Sequence, residues 1–197
     1  MSASSESWPR RHRLSVEDYY RMAEAGVLSP DARVELIEGE IIDMAPIGSR
    51  HAFTVDTLAK RLIGAVGERA VVRIQGPVRL GSISEPQPDL LVLRPPGDLY
   101  ADNHPTASNV ILLIEVSDAT LRYDLEVKTA LYAGYGIAET WIIDLRDGML
   151  HVFARPVDGE YRERSAPAGT TARIPELLID LDLTGLLSQE HPTGARR

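Results

Sequence analysis

One apolar run with an acid inside it sets the terms for this chain: Val110-Ile111-Leu112-Leu113-Ile114-Glu115-Val116. A short continuous run of this kind, rich in β-branched residues, reads as a strand buried on both faces, so it belongs at the centre of a sheet with layers on either side. A lone carboxylate in such a strand costs several kcal/mol unless something pairs with it. Gln87-Pro88-Asp89-Leu90-Leu91-Val92-Leu93 repeats the theme, with the acid at the edge of the run. Downstream comes Arg122-Tyr123-Asp124-Leu125-Glu126-Val127-Lys128. Of 21 basic residues only Lys60 and Lys128 are lysines. Arginine does not deprotonate readily or act as a compact point charge, so a lysine in this company points to a chemical role. Two acids on buried strands followed by a lysine suggest a metal-dependent site that cleaves phosphodiesters.

The flanking segments supply the rest of a layered domain. Ser15 is a helix N-cap with Asp18 at the third position, and Gly26 closes that helix. Val34–Ile37 and Glu40–Met44 flank Glu38-Gly39 as a tight hairpin. A helix is predicted over 49–66, its apolar stripe made by Ala52, Val55, Leu58, Ala59, Leu62, Ile63 and Val66. Strands are predicted at 71–75, 78–80, 88–93 and 110–116, with a polar loop over 97–108. A helix follows over 122–133, stopped by Gly134. Strands at 140–145 and 149–154 pair around Arg146-Asp147-Gly148. A strand over 161–165 and a segment at 177–183 end the chain's regular structure. The order implies an α+β or α/β domain, one mixed β-sheet core flanked by helices. It spans 13–187, with disordered tails expected at 1–12 and 188–197.

Composition removes several classes. There are no cysteines among the 197 residues, which excludes disulfides, thiolate zinc sites and cysteine nucleophiles. No Gly-x-Ser-x-Gly turn or glycine-rich phosphate loop is present, which disfavours serine hydrolases and P-loop enzymes. Met1–Arg13 lacks the apolar stretch of a signal peptide, and no run approaches a membrane span, so no membrane partner and a cytoplasmic setting are expected. The net charge of -8 argues against strong nonspecific DNA binding but leaves room for a local basic groove from Arg61, Arg69, Arg73 and Arg79.

Mg²⁺, or Mn²⁺, takes hard oxygen ligands, often one or two carboxylates with water and substrate phosphate. If the strands carrying Asp89 and Glu115 are neighbours in register, both acids converge at one sheet edge. The Val116 backbone carbonyl is a further candidate metal ligand. Lys128, one helical turn from Asp124, would bring an ammonium to the same edge. Glu35 is a candidate fourth member and His51 a candidate phosphate donor or general base. Each residue also has a plain alternative. Asp89 caps a turn after proline; Glu115 pairs with an arginine; Asp124 and Lys128 form a surface helix pair. Glu35 lies on the exposed side of an edge strand, and His51 is an ordinary core histidine.

Pro88-Asp89 with Glu115-Val116-Ser117 resembles the PD-(D/E)XK signature of restriction-endonuclease-like nucleases. The wider set resembles the bacterial Uma-two family: Leu14–Tyr19, Val34–Glu40, Gly48–His51, Gln87–Asp89, Ile114–Ser117, Tyr123-Asp124 with Lys128, and Tyr132 through Gly136-Ile137 to Trp141. The resemblance covers Leu14 to Leu183. It implies Asp89 and Glu115 as metal ligands, Glu35 as the N-terminal acid, and Mg²⁺-dependent endonucleolytic hydrolysis of DNA. The usual signature has lysine where this chain has Ser117; the family brings it from the next helix, which matches Lys128. Nucleases that cut both strands work in pairs, so a homodimer is expected. The alternative function is a nuclease-fold protein with a binding or regulatory role and little catalysis.

Overall fold

The computed structural model describes residues 11–187; most of the expected tails, 1–12 and 188–197, lies outside them. The helices are α1 (Val16–Glu24), α2 (Ser49–Val66), α3 (Leu121–Tyr123) and α4 (Thr129–Gly134). The strands are β1 (Val34–Ile37), β2 (Glu40–Asp43), β3 (Val71–Ile74), β4 (Leu90–Leu93), β5 (Val110–Ser117), β6 (Glu139–Asp144), β7 (Met149–Val157), β8 (Glu160–Ser165), β9 (Thr171–Ile174) and β10 (Ile179–Asp182). Six strands form one mixed sheet in the order β3-β4-β5-β6-β7-β8. β5 is fully buried and lies between β4, antiparallel to it, and β6, parallel to it. The parallel pair needs a crossover, and the helical segment 121–134 provides it.

Side chains alternate across the sheet. One face carries Leu90, Val92, Leu112, Ile114, Val116 and Trp141, covered by α2 through Val55, Leu58, Leu62 and Val66 and by the β9–β10 hairpin. The other carries Leu91, Leu93, Leu113 and Ile142, covered by Leu131, Tyr132 and Ala133 of α4. No described helix is long and apolar enough to cross a membrane.

The local signals act as their chemistry requires. Ser15 accepts from the Asp18 amide and the Asp18 carboxylate accepts from the Ser15 amide, a complete capping box. Glu38 and Gly39 both take positive φ, 48° and 77°, as a two-residue turn demands. A Cβ on Gly39 would stand 2.5 Å from that of Arg13, so the turn and the incoming N-terminal segment touch through the missing side chain.

Four expectations need correction. Val78–Leu80 is not a strand: a single bridge joins Arg79 to Thr106. The amides of Val78, Arg79 and Leu80 donate to Pro86, Pro105 and Ser84, loop carbonyls rather than a strand partner. Ile63 is 53% exposed; it lies one position round α2 from the buried Leu62, outside the stripe. The C-terminal segment is a β9–β10 hairpin rather than one run over 177–183. The helix over 122–133 is not uniform: α3 and α4 are joined by a π-helical turn, Asp124–Lys128, in which the Thr129 amide donates to the Asp124 carbonyl.

Candidate active site

Asp89 and Glu115 come together through strand register. Leu90 of β4 is opposite Ile114 of β5, so the next position outward sets Asp89 across from Glu115. Both are on the face that carries Leu91 and Leu113, beneath the π-helical turn. The Val116 amide donates to Asp89 Oδ2 at 2.9 Å. Gln75 donates twice, from its amide to the Asp89 carbonyl at 2.8 Å and from Nε2 to Oδ1 at 3.4 Å. Asp89 therefore does more than cap a turn.

His51 stands in the first turn of α2 with Nε2 3.1 Å from Asp89 Oδ2. The hydrogen bond to Asp89 raises the imidazole above its ordinary pKa, against burial. Its Nδ1 is buried without a hydrogen-bond partner among the described residues.

Lys128 is 5% exposed and lies between two buried glutamates. Its Nζ is 3.1 Å from Glu115 Oε1 and 3.2 Å from Glu35 Oε2. The Tyr132 hydroxyl donates to the same Glu115 oxygen at 2.5 Å, and the Gln87 amide donates to Glu35 Oε2 at 3.2 Å. Burial by itself would lower the lysine's pKa; Glu115, Glu35 and Asp124 outweigh it and hold Lys128 well above its usual range. It is a fixed ammonium. Burial pushes the Glu115 carboxyl up to about 8; Lys128 opposes this, while Asp124, Asp89 and Glu35 add to it. Three plain alternatives fail here. Glu35 is buried in β1, Glu115 pairs with a lysine rather than an arginine, and Lys128 is not on the surface.

Asp124 belongs to the site, although in the sequence it stands out only as the helix mate of Lys128. It is 4% exposed and accepts from Ser117 Oγ at 2.7 Å and Thr120 Oγ1 at 2.6 Å. Ser117, the residue standing where the signature has lysine, thus anchors an acid instead. The available signal was an aspartate one turn before a lone lysine, with two hydroxyl residues just upstream.

Glu35, His51, Asp89, Glu115, Asp124 and Lys128 all border one cleft of about 360 Å³, which Arg33, Asp43–Gly48 and Asp118–Thr120 also line. Among the described residues no group of three or more histidine, aspartate or glutamate side chains is gathered as a ready metal cage. Mg²⁺ needs no such cage; one or two carboxylates with water and phosphate suffice. Two opposed hard-oxygen donors, Asp89 and Glu115, fit that requirement.

The expected groove of four arginines does not form. Arg61 donates to the carbonyls of Asp182 and Thr184, and Arg69 to those of Ala65, Val66 and Leu177, which ties α2 to the C-terminal segment. Arg73 and Arg79 border a separate pocket.

A mixed sheet with helices on both faces, and acids meeting at the ends of two adjacent strands, is a nuclease-like fold. The chain belongs to the Uma2 family, whose model, described as "Putative restriction endonuclease", matches residues 16–186. Among solved structures it is similar to one titled as a "putative nuclease belonging to DUF820" from Anabaena variabilis. The TM-score is 0.71 at 16% identity, over 88% of this chain and 97% of the other. At that identity the likeness speaks for the fold alone. No curated protein matches the chain.

Proposed function

We propose that this cleft hydrolyses DNA phosphodiester bonds as an endonuclease, with Mg²⁺ or Mn²⁺ held by Asp89, Glu115 and the Val116 carbonyl in a PD-(D/E)XK-type arrangement. The observation that carries the reading is the crowding of acids: four buried carboxyl groups, Glu35, Asp89, Glu115 and Asp124, border the cleft with one buried ammonium, Lys128, and Glu115, buried in their company, keeps its proton to about pH 8. Carboxylates sharing a site repel, and a cation between them relieves the repulsion. The Val116 carbonyl lies on the same side of β5 as the amide that reaches Asp89, because both groups of a strand residue point the same way.

A bound divalent cation would polarise the phosphate and lower the pKa of an attached water. The side chains do the rest. Asp89, fixed by Val116, Gln75 and His51, keeps its carboxylate aimed at the cleft. Lys128 stabilises charge that builds on the phosphate oxygens, and Glu35 helps to set its position through their ion pair. His51, held by Asp89, donates to a substrate phosphate or accepts a proton. Asp124 adds negative charge beside Lys128 and keeps it protonated. Two copies, each supplying one cleft, would cut both strands; light scattering with and without DNA tests that homodimer.

The deciding experiment incubates supercoiled plasmid with Mg²⁺ or Mn²⁺ and wild type, Asp89→Asn or Lys128→Met. Nicking by wild type, reduced by at least about a hundredfold in both variants, supports the proposal. Equal nicking by all three marks a contaminant and ends it.

One observation favours the binding or regulatory reading: Lys128 is already satisfied by both glutamates. That reading predicts no cleavage with any metal, and DNA or protein binding that survives Asp89→Asn/Glu115→Gln.

A further inference from the structure

A separate pocket of about 840 Å³ is bordered by three basic side chains, Arg73, Arg79 and His104, and by one acid, Asp102. Two of the three are already engaged. Arg79 Nε is 2.9 Å from the buried Glu85, which also accepts from the Tyr20 hydroxyl, and Arg79 also meets Glu17 at 3.4 Å. His104 turns Nδ1 to Arg73, 3.3 Å away.

Arg73 is different. Among the described residues no carboxylate pairs with it. Its guanidinium donates to the carbonyls of Pro77 and Tyr100 at 3.5 and 3.4 Å and lies 5.8 Å from the centre of the Tyr100 ring. The Tyr100 ring is itself pinned, its hydroxyl donating to the Arg94 carbonyl at 2.6 Å. The backbone makes room for this arrangement: a Cβ on Gly76 would stand 2.7 Å from Arg73 Cδ. The result is a planar cation, fixed in place with its charge unanswered. Planar guanidinium forks match phosphate oxygens in two-point contact.

Position ties this cation to the acids. Arg73 of β3 is opposite Leu91 of β4, so it shares the sheet face that carries Asp89 and Glu115. Two residues further along, Gln75 holds Asp89. Two residues of strand span about 7 Å, so Arg73 lies one short step beyond a residue that touches the acid site.

We propose that Arg73 is a docking point for a backbone phosphodiester of the nucleic-acid strand, flanking the bond that the acid cleft acts on. The inference rests on the reading that the cleft takes nucleic acid. Arg73 grips the strand and Gln75 spaces it from Asp89. The contact reads phosphate and not base, so it adds affinity without sequence preference.

The test measures binding apart from cleavage. Fluorescent oligonucleotides, single- and double-stranded, with and without a 5′-phosphate, are titrated in Ca²⁺ over a range of salt. Wild type is compared with Arg73→Gln, Arg73→Lys and Gly76→Ala, and thermal unfolding confirms that each variant is folded. Arg73→Gln is expected to weaken binding about tenfold, the worth of one charge-assisted hydrogen bond, and to lower the slope of log affinity against log salt by about 1. Arg73→Lys keeps the slope and recovers part of the affinity; Gly76→Ala, which displaces the guanidinium, resembles Arg73→Gln. A folded Arg73→Gln variant that binds like wild type, with an unchanged salt slope, overturns the proposal. An effect seen only with 5′-phosphorylated strands also overturns it, because the pocket would then take a strand end. Arg73-dependent binding without cleavage upholds the docking point and removes the endonuclease. Cleavage with Arg73-independent binding does the reverse.

Discussion

Lys128 Nζ lies 3.2 Å from Glu35 Oε2, joining a helical turn late in the chain to a strand near its start. Glu35 is 3% exposed and Lys128 5%, so neither charge has water to fall back on. Breaking a buried ion pair from one side leaves the other charge stranded, at a cost of about 3–5 kcal/mol. Lys128→Met is therefore expected to destabilise the metal-free protein by about that amount in urea unfolding. Lys128→Met/Glu35→Gln should recover part of the loss, because the carboxylate that Lys128 leaves stranded is gone. Additive losses in the double variant would show that Lys128 and Glu35 are not coupled.

The raised Glu115 carboxyl gives metal binding a pH dependence of definite sign. Its ordinary value is 4.5 and burial carries it to about 8 in the fold. Between those values the folded chain holds a proton that the unfolded chain has lost, so the stability of the metal-free protein falls as pH rises through that window. A metal needs the ionised carboxylate, so its affinity rises across the same window, levels off above it, and binding releases a proton. Calorimetry with Mn²⁺ at pH 6, 7 and 8, in two buffers of different ionisation enthalpy, measures both. Affinity that stays flat with pH would rule Glu115 out as a ligand.

His51 separates activity from stability. Its bond to Asp89 stabilises the fold, but the orphaned Nδ1 costs about 1–3 kcal/mol. His51→Leu loses both, so urea unfolding should shift by no more than about 1 kcal/mol. If the imidazole at Asp89 serves the proposed cleavage, plasmid nicking should fall about a hundredfold. A large stability loss with full activity would make His51 a core residue only.

The π-helical turn can be tested by shortening it. Val127 is 41% exposed, so deleting it removes little packing. Losing one residue should rotate either Asp124 or Lys128 by about 100° away from the cleft. The variant should melt cooperatively, with the far-ultraviolet circular dichroism of wild type, and should not nick plasmid. Full nicking by the deletion variant would show that the turn's register does not position the two residues.

The sequence carried the fold's skeleton because the relevant signals are local. The run around Ile114 is apolar on both faces, which only a central strand satisfies, and Ser15 with Asp18 closes a capping box within four residues. The meeting of Asp89 with Glu115 follows from two-residue alternation once β4 and β5 are adjacent. What stayed hidden depends on distant partners. Val78–Leu80 has apolar ends like a strand, but its amides find loop carbonyls. Arg61 and Arg69 look like a nucleic-acid face until the C-terminal carbonyls claim them. In the sequence Glu85 is one more loop acid, and Asp124 an ordinary helix charge, because no spacing rule reveals that Tyr20 and Arg79, or Ser117 and Thr120, close around them.

The cleft borrows from β1, α2, β4, β5 and the π-helical turn, and its cation arrives last in the order of synthesis. A chain still leaving the ribosome can have Glu35, His51, Asp89 and Glu115 exposed, yet it lacks Lys128 until residue 128 has been added and the crossover has docked. The reactive arrangement and the finished core therefore form in the same event. Copies that stop short of residue 128, or that have not folded, lack the assembled site, so any cleavage by the proposed nuclease would wait on completed folding.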